Sequence, residues 1–273
     1  MGLLVATTTL LLAGTPAHGF LGNFTVGLRA SDSSALASQL ESLGDRVDGV
    51  GLERRVSDVG AGGTRQHEDE LLLALRTASE GQRRSFHVAW DVRGAEAERW
   101  AALVRWDWAN VIDGQLRLTA SGSYLREQGR PVVVLRGLGA VDAPGTVAET
   151  MDLIDWLKDR GCYVVARVPA GWRQGATRPH FLSAFARVDA VQVEPTSGPR
   201  SEEVLRDDSA LAVQLGLGLQ LAFDAATLAE VSEPRELESG ARSAGLPVSS
   251  APLQPAEPTA PPAVFEPALA REP

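Results

Sequence analysis

The feature that most constrains this chain is a regular alternation of short apolar segments with longer amphipathic ones, from about residue 24 to residue 226. The apolar segments are short and rich in β-branched residues, as buried strands are, and the segments between them have helical periodicity. Such an alternation predicts a parallel sheet covered by helices. Seven strands are predicted, at residues 25–28, 47–52, 85–90, 131–136, 163–168, 190–193 and 217–223.

Six helices are predicted between these strands, and their ends carry recognisable signals. Thr146 precedes one helix and Glu149 follows three residues later, which is the spacing of a capping box. A chain of 273 residues has the length of a single (β/α) domain, since TIM barrels use about 250 residues. We therefore expect an α/β, TIM-barrel-like fold with seven strands instead of eight, and whether the barrel closes or is incomplete stays open. The helices are expected at residues 33–43, 68–80, 96–112, 147–159, 179–187 and 202–215.

Both ends of the chain differ from this central part. Residues 1–19 contain an apolar stretch followed by small residues at Ala17 and Gly19, the layout of a signal peptide, which predicts a secreted or periplasmic protein. The stretch has no Lys or Arg before it, so the alternative is an apolar segment packed on the domain of a cytoplasmic protein. Residues 246–273 are proline-rich and are expected to form a disordered tail. The barrel-like domain then spans residues 20–245.

Composition and missing motifs exclude several classes of function. A formal net charge of -9 and a pI near 5.0 oppose binding to nucleic acid. The N-terminal apolar stretch is too short for an integral membrane span. The single cysteine, Cys162, forbids an internal disulfide, and no histidine or cysteine pair has metal-ligand spacing. Since no nucleotide-binding glycine motif occurs either, neither a metal nor a cofactor is expected.

A series of segments between residues 31 and 198 resembles one enzyme family. The segments are VDGVGLERRV from Val47, FHVAWDVRG from Phe86, RWDWANVID from Arg105, YLREQGRPVVVLRGLG from Tyr124, LIDWLKDRGCYVVARVPAGWR from Leu153 and VDAVQVEPTSG from Val188. In order and spacing they resemble the central barrel of glycoside hydrolase families 71 and 99, the α-1,3-glucanases and endo-α-mannosidases. The resemblance implies a barrel that acts on α-linked mannose- or glucose-containing glycans without metal or cofactor.

The chain departs from that family where its catalytic carboxylates should be. The family's first strand is aromatic and contains proline, whereas this chain has TVGLRASD, and its Ser-Pro-Trp turn is replaced by residues 192–195. Its late Asp-Glu-x-x-Glu-Gly segment has no counterpart here. Glu230 and Glu233 have the spacing of that carboxylate pair and are the catalytic candidates. The alternative for both is a solvated surface, which often carries such glutamate pairs.

Acidic residues at strand ends are the remaining candidates for a sugar site, because barrel enzymes build their sites at the carboxyl ends of the strands. Asp91 closes the third strand, and the resemblance marks it as part of the sugar pocket. Its alternative role is to cap the following turn. Glu194 and Asp224 follow the sixth and seventh strands and have the same positional logic, with simple loop-facing acids as the alternative.

Four further residues are candidates because of what their side chains offer. Trp172 and Arg173 follow the fifth strand, where an aromatic face beside a guanidinium suits a sugar ring and its hydroxyls. The alternative is that Trp172 packs over the barrel rim and Arg173 forms a surface ion pair. One of Arg54 and Arg55 should face the site, since successive strand residues point to opposite sides. We expect Asp91, Trp172 and Arg173 to converge at one mouth of the barrel.

The sequence thus predicts a glycoside hydrolase-like protein that recognises an α-linked mannose- or glucose-containing glycan with weak or no catalysis, in effect a pseudoenzyme. Hydrolysis of this class needs two positioned carboxyl groups, and one recognisable strand-end aspartate does not provide them. One alternative is an active retaining endo-glycosidase that uses Glu230 and Glu233. Another is a barrel of unrelated function, because a fold alone does not define a reaction. The oligomeric state stays open.

Overall fold

The computed structural model describes only part of the chain. The described residues are 20–21, 25–28, 32–43, 49–60, 62–169, 172–174, 178, 180–194, 202–221, 223–224 and 248–249. The segment expected to be a signal peptide, 1–19, and the candidate carboxylates Glu230 and Glu233 therefore lie outside the described residues. Most of the expected tail lies outside them as well.

Among the described residues, one sheet contains eight short strands whose neighbours are parallel, in the spatial order β8-β1-β2-β3-β4-β5-β6-β7. A single residue separates β7 from β8 in the sequence. One stretch of chain therefore pairs with β6 at its start and with β1 at its end, which joins the two edges of the sheet. β7 and β8 together correspond to the seventh predicted strand. The arrangement is TIM-barrel-like, so the predicted fold class is confirmed. The strands are β1 (Thr25–Leu28), β2 (Gly49–Arg55), β3 (Ser85–Asp91), β4 (Arg130–Arg136), β5 (Tyr163–Val168), β6 (Ala190–Val193), β7 (Gly218–Leu221) and β8 (Phe223–Asp224).

The helices lie where the periodicity predicts them, with differences in length. They are α1 (Ser33–Leu43), α2 (Gly62–Gln82), α3 (Trp100–Trp106), α4 (Val147–Asp159), α5 (Leu182–Phe185) and α6 (Glu202–Leu215). Helix α2 begins at Gly62 instead of residue 68, and α5 is shorter than predicted. Helix α3 continues as a π-helical segment, Asp107–Gln115. None of the described helices is long and apolar enough to cross a bilayer.

Two small pairings lie outside the parallel order. The strand Arg126–Glu127 forms an antiparallel hairpin with β4, and positive φ angles at Gln128 and Gly129 make its turn. Phe20–Leu21 pairs in parallel with Val248–Ser249. The second of these strands falls within the segment that the sequence predicts as a disordered tail. The rest of that segment is not described, so its disorder stays a prediction.

The core consists of two layers on either side of the sheet. Outward-facing strand residues such as Val50, Val88 and Leu135 pack with the helices in the larger layer. A smaller layer fills the barrel interior and consists of Ala89, Leu125, Val132, Val134, Tyr163, Val165 and Ala190. Because alternate strand residues point to opposite faces, the next inward positions toward the carboxyl ends carry the polar side chains described below.

The capping box at the start of α4 is formed as predicted. The Thr146 hydroxyl accepts a hydrogen bond from the Glu149 amide at 3.2 Å, and the Glu149 carboxylate accepts one from the Thr146 amide at 2.7 Å. At the other end of α4, Gly161 has φ +77°, the left-handed conformation that terminates a helix without strain.

Replacement of Thr146 by alanine is expected to lower the free energy of unfolding by about 1 kcal/mol, because it removes one half of the box. Urea denaturation of the variant measures this loss. Thr77→Ala is the control, since Thr77 lies inside α2 and its hydroxyl donates to the Leu73 carbonyl of the same helix. Equal losses for the two variants would contradict a capping role for Thr146.

Candidate functional site

Charged side chains gather at the carboxyl ends of the central strands. Glu53 and Asp91 are inward positions at the ends of β2 and β3, and Arg136 ends β4. Arg93 and Glu194 come just after β3 and β6. We refer to Glu53, Asp91, Arg93, Arg136 and Glu194 as the mouth cluster. All five side chains are partly or largely shielded from solvent.

Arg136 ties three strands together at this end of the barrel. Its Nη1 atom donates to Glu53 Oε2 at 2.6 Å, and its Nε atom donates to Glu194 Oε1 at 2.7 Å. Although burial lowers the pKa of Arg136, its contacts with Glu194 and Glu53 outweigh burial and raise that pKa. The guanidinium is therefore a permanent cation that holds two carboxylates in fixed positions.

Asp91 is held by Arg93 through both side chain and backbone. The Arg93 guanidinium donates from Nε at 2.8 Å and from Nη2 at 2.5 Å, and its backbone amide donates at 3.1 Å. Burial raises the pKa of Asp91, but the hydrogen bonds from Arg93 prevail and the pKa is lowered overall. Asp91 is thus an ionised acceptor, and it also caps the turn as the alternative prediction had it.

Gly137 explains why the strand-end turn after β4 needs glycine. Its φ is +85°, and a Cβ atom there would lie 2.5 Å from the Arg93 Cγ and 3.2 Å from the Asp91 carboxylate. A side chain at this position would displace the Arg93–Asp91 pair, so the glycine is part of what forms the site.

A second polar group lies in the barrel interior beside the mouth cluster. Arg167 on β5 donates from Nε to Gln192 on β6 at 2.8 Å, and both residues are buried. His87 on β3 is also buried, and neither of its ring nitrogens has a hydrogen-bond partner. Burial, with a smaller contribution from Arg167, lowers the pKa of His87 to about 3, so its imidazole is neutral.

The structure brings Asp91 and Glu194 into one cluster but places Trp172 and Arg173 differently. Trp172 is completely buried, and its indole N–H donates to Asp208 of α6 at 3.0 Å. Arg173 contacts Asp207 at 2.8 Å and Asp208 at 2.9 Å. With no exposed ring face, the stacking role predicted for Trp172 does not fit this placement. The pair instead joins the end of β5 to α6, which is the packing alternative.

The remaining candidates divide between the barrel mouth and the helix layer. Arg54 is fully buried and points to the helices, whereas Arg55 is exposed and is aligned with Asp91 in the β2–β3 register. Asp224 is aligned with Gly27 in the pairing of β8 with β1, and its side chain is not described.

Sequence reasoning missed Glu53, Arg93 and Arg136, although all three lie in segments that carry the resemblance. Glu53 and Arg136 could have been found from the alternation of side chains along neighbouring strands, whereas Arg93 lies beyond the end of β3 and could not be found in this way. Asp91 faces the barrel interior, and the parallel register aligns Arg136 with it, so Arg136 faces inward as well. Its guanidinium then lies within hydrogen-bond distance of Glu53 and Glu194. Within the described ranges, no group of three or more His, Cys, Asp or Glu side chains is arranged to hold a metal ion.

A cavity of about 220 Å³ lies at the opposite end of the barrel, near the amino ends of the strands. Its charged lining residues already have partners: Arg130 contacts Asp189 at 3.0 Å, and Lys158 donates to the Arg187 carbonyl at 3.0 Å. The first contact joins the start of β4 to the residue before β6, and the second joins α4 to the turn after α5. Both stabilise this face of the barrel, which is its usual role.

No protein-family model matches the chain, and no curated protein matches it. Among solved structures, a glycoside hydrolase-like protein aligns with 78% of this chain and 74% of its own, at 12% identity and a TM-score of 0.48. A chitinase from Chromobacterium violaceum aligns with 74% of this chain and 68% of its own, at 13% identity and a TM-score of 0.43. The phospho-2-dehydro-3-deoxyheptonate aldolase from Thermotoga maritima aligns with 85% of this chain and 71% of its own, at 14% identity and a TM-score of 0.42. At these scores the likeness says nothing about reaction or ligand, and function has to come from the chain's own residues.

Proposed function

We propose that this chain is a glycoside hydrolase-like barrel that recognises a glycan at the mouth cluster and hydrolyses it weakly or not at all. The observation that carries the proposal is the bridge from Arg136 to Glu53 and Glu194, which lies at the strand ends where barrels place their ligands. The finer identity of the ligand, an α-linked mannose- or glucose-containing glycan, rests on the sequence segments that resemble families 71 and 99. Export from the cytoplasm, based on residues 1–19, is part of the same proposal.

The chemistry of the mouth cluster suits sugar hydroxyls. A hydroxyl both donates and accepts hydrogen bonds, so it can bridge a carboxylate and a neighbouring guanidinium. Fixed side chains lose little conformational entropy when a ligand binds, and the ion pairs of Arg136 and Arg93 fix three carboxylates in advance. Arg55 adds an exposed cation at the same rim.

The same contacts oppose hydrolysis. Glycoside cleavage needs one carboxylic acid that protonates the leaving oxygen and a second carboxylate that attacks or activates water. The lowered pKa of Asp91 makes it a poor proton donor. Glu53 and Glu194 each direct an oxygen to Arg136, and an oxygen engaged with a guanidinium is not free to protonate a leaving group.

The test is glycan-array binding by the wild type, Arg136→Met and Arg99→Met. The wild type should bind α-mannose- or α-glucose-containing glycans, and Arg136→Met should weaken binding by about tenfold or more, because a charged hydrogen-bond donor is worth about 1.5–3 kcal/mol. Arg99→Met is the matched control, since Arg99 is exposed and pairs only with Glu96 of its own turn among the contacts seen. Unchanged binding by a folded Arg136→Met protein would contradict the assignment of the site.

Hydrolysis of α-mannoside and α-glucoside oligosaccharides separates the proposal from its alternatives. We expect little or no turnover by the wild type. Clear turnover that is abolished by Glu230→Gln or Glu233→Gln would instead establish a retaining glycosidase that uses that pair. If the wild type neither binds nor hydrolyses any of these glycans, that result favours a barrel of unrelated function.

A further inference from the structure

A buried ionic cluster lies outside the barrel, between β2 and the helices that cover it. The Arg54 guanidinium, which is completely buried, donates from Nη1 to Asp69 of α2 and from Nη2 to Asp107 of the π-helical segment, both at 2.8 Å. The Trp90 indole N–H donates to the other oxygen of Asp107 at 2.9 Å. The cluster therefore joins one strand to two helical elements.

A third carboxylate, that of Glu68, faces the same guanidinium without a hydrogen bond to it. Glu68 Oε2 lies 3.8 Å from Arg54 Nε, and neither atom has a hydrogen-bond partner. The Glu68 side chain is only 15% exposed. Three carboxylates thus surround one buried cation, and two of them are already bonded to it. A largely shielded carboxylate that has no hydrogen bond to the cation and lies near two other carboxylates favours the protonated form.

Burial has the greatest effect on Glu68 and raises its pKa, whereas the neighbouring charges act on that pKa in both directions. Asp58, in the turn after β2, and Asp107 both repel an ionised Glu68, while Arg54 and the Arg55 backbone amide favour it. Arg65 of α2 lies 3.9 Å from Asp69 and offsets that neighbour only in part. Burial is the largest influence, and the sum raises the pKa of Glu68 to about 7.

We propose that Glu68 is a pH-responsive lock that holds the amino-terminal half of α2 against β2 and the π-helical segment. When Glu68 is protonated, the buried cluster has one negative charge fewer and the start of α2 packs stably against β2. When Glu68 is ionised, the cost of burying its charge and its repulsion of Asp58 and Asp107 outweigh its attraction to Arg54, and the helix start loosens. Arg54 lies between Glu53 and Arg55 in β2, so the lock acts on the strand that contributes to the mouth, although the proposal itself does not depend on any ligand.

The pH dependence has a definite sign. The pKa of Glu68 in the folded protein, about 7, is above its ordinary value of 4.5, so the folded state binds more protons than the unfolded state between these values. This contribution to stability is complete below about pH 4.5 and is lost as the pH rises through about 7. Glu68→Gln, which is permanently uncharged, removes the dependence.

The experiment compares thermal midpoints of the wild type, Glu68→Gln and Glu70→Gln at about pH 5 and about pH 8. Relative to the wild type, Glu68→Gln should gain about 5 °C more at the higher pH than at the lower, since about 1 kcal/mol shifts the midpoint of a chain this size by about 2–4 °C. Glu70→Gln should track the wild type, because Glu70 is exposed on the same helix. Equal pH dependence in all three proteins overturns the proposal.

A direct titration keeps the proposal testable if Glu68→Gln does not fold. The Glu68 side-chain carboxyl of the wild type, followed by NMR with selective ¹³C labelling, should titrate near neutral pH. At about pH 8, backbone amides in the first half of α2 should also exchange faster relative to those of α4 than they do at about pH 5, after correction for intrinsic rates. A titration midpoint in the ordinary glutamate range, or unchanged relative protection of α2, overturns the proposal.

Discussion

Replacement of Arg54 by methionine is expected to lower the free energy of unfolding by about 3–5 kcal/mol, the usual cost of removing one partner from a buried ion pair. Arg54 is fully buried and is the only group seen to donate side-chain hydrogen bonds to Asp69, and it shares Asp107 with Trp90. Without the guanidinium, Glu68, Asp69 and Asp107 would face one another at the sheet–helix boundary. Urea denaturation at neutral pH measures the loss.

Two comparisons make this prediction specific. Arg76→Met removes an exposed ion pair with Glu80 from the same helix layer, and exposed pairs contribute only about 0–1 kcal/mol. A variant in which Arg54, Glu68, Asp69 and Asp107 are all replaced by apolar residues should recover much of the lost stability, since the whole ionic group is then absent. A loss of under about 1 kcal/mol for Arg54→Met would mean that water reaches the cluster.

The sequence predicted the strands and helices well because their signals are local. β1, β5 and β6, and α1, α4 and α6, have the predicted bounds. The sequence placed the start of α2 at residue 68 because Gly62 and Gly63, where the helix begins, have low helix propensity. The joining of the sheet edges also lay beyond local pattern, since it depends on Phe223–Asp224 pairing with a strand near the start of the chain.

The site was predicted only as far as strand-end position allows. That rule singled out Asp91 and Glu194, which lie in the mouth cluster, but not Glu53 and Arg136, because the contact between these two depends on register across several strands. The same rule suggested Trp172, whose N–H instead bonds to Asp208, a residue 36 positions later. A contact over that separation leaves no local sequence signal, so a buried anchor and an exposed sugar platform look alike in sequence.

His87 has the second large effect that we expect, and it concerns acid stability. The imidazole is buried inside the barrel, and its Nε2 atom lies 2.4 Å from where a Cβ atom of Gly51 would be. Gly51 therefore provides the space that the ring occupies. Since neither ring nitrogen has a hydrogen-bond partner, nothing seen in the structure favours a charged ring, and the Arg167 guanidinium opposes it.

As the pH falls below about 6.5, the wild type is expected to lose stability relative to His87→Leu by about 1.4 kcal/mol per pH unit until about pH 3. The pKa of His87 is lowered from 6.5 to about 3 in the folded state. Between these pH values the imidazole is protonated in the unfolded chain but not in the folded one. The stability is therefore complete above about pH 6.5 and is lost on acidification, the opposite direction to the Glu68 contribution. Leucine has a similar volume and loses no hydrogen bond here.

The measurement is the difference in unfolding free energy between wild type and His87→Leu by urea denaturation at several pH values from about 7.5 to about 4. Carboxylates such as Glu68 titrate equally in both proteins, so their contributions cancel in the difference and leave that of His87. If the difference between wild type and His87→Leu stays constant across this range, the imidazole takes up its proton within the folded barrel, and the lowered pKa assigned to it is wrong.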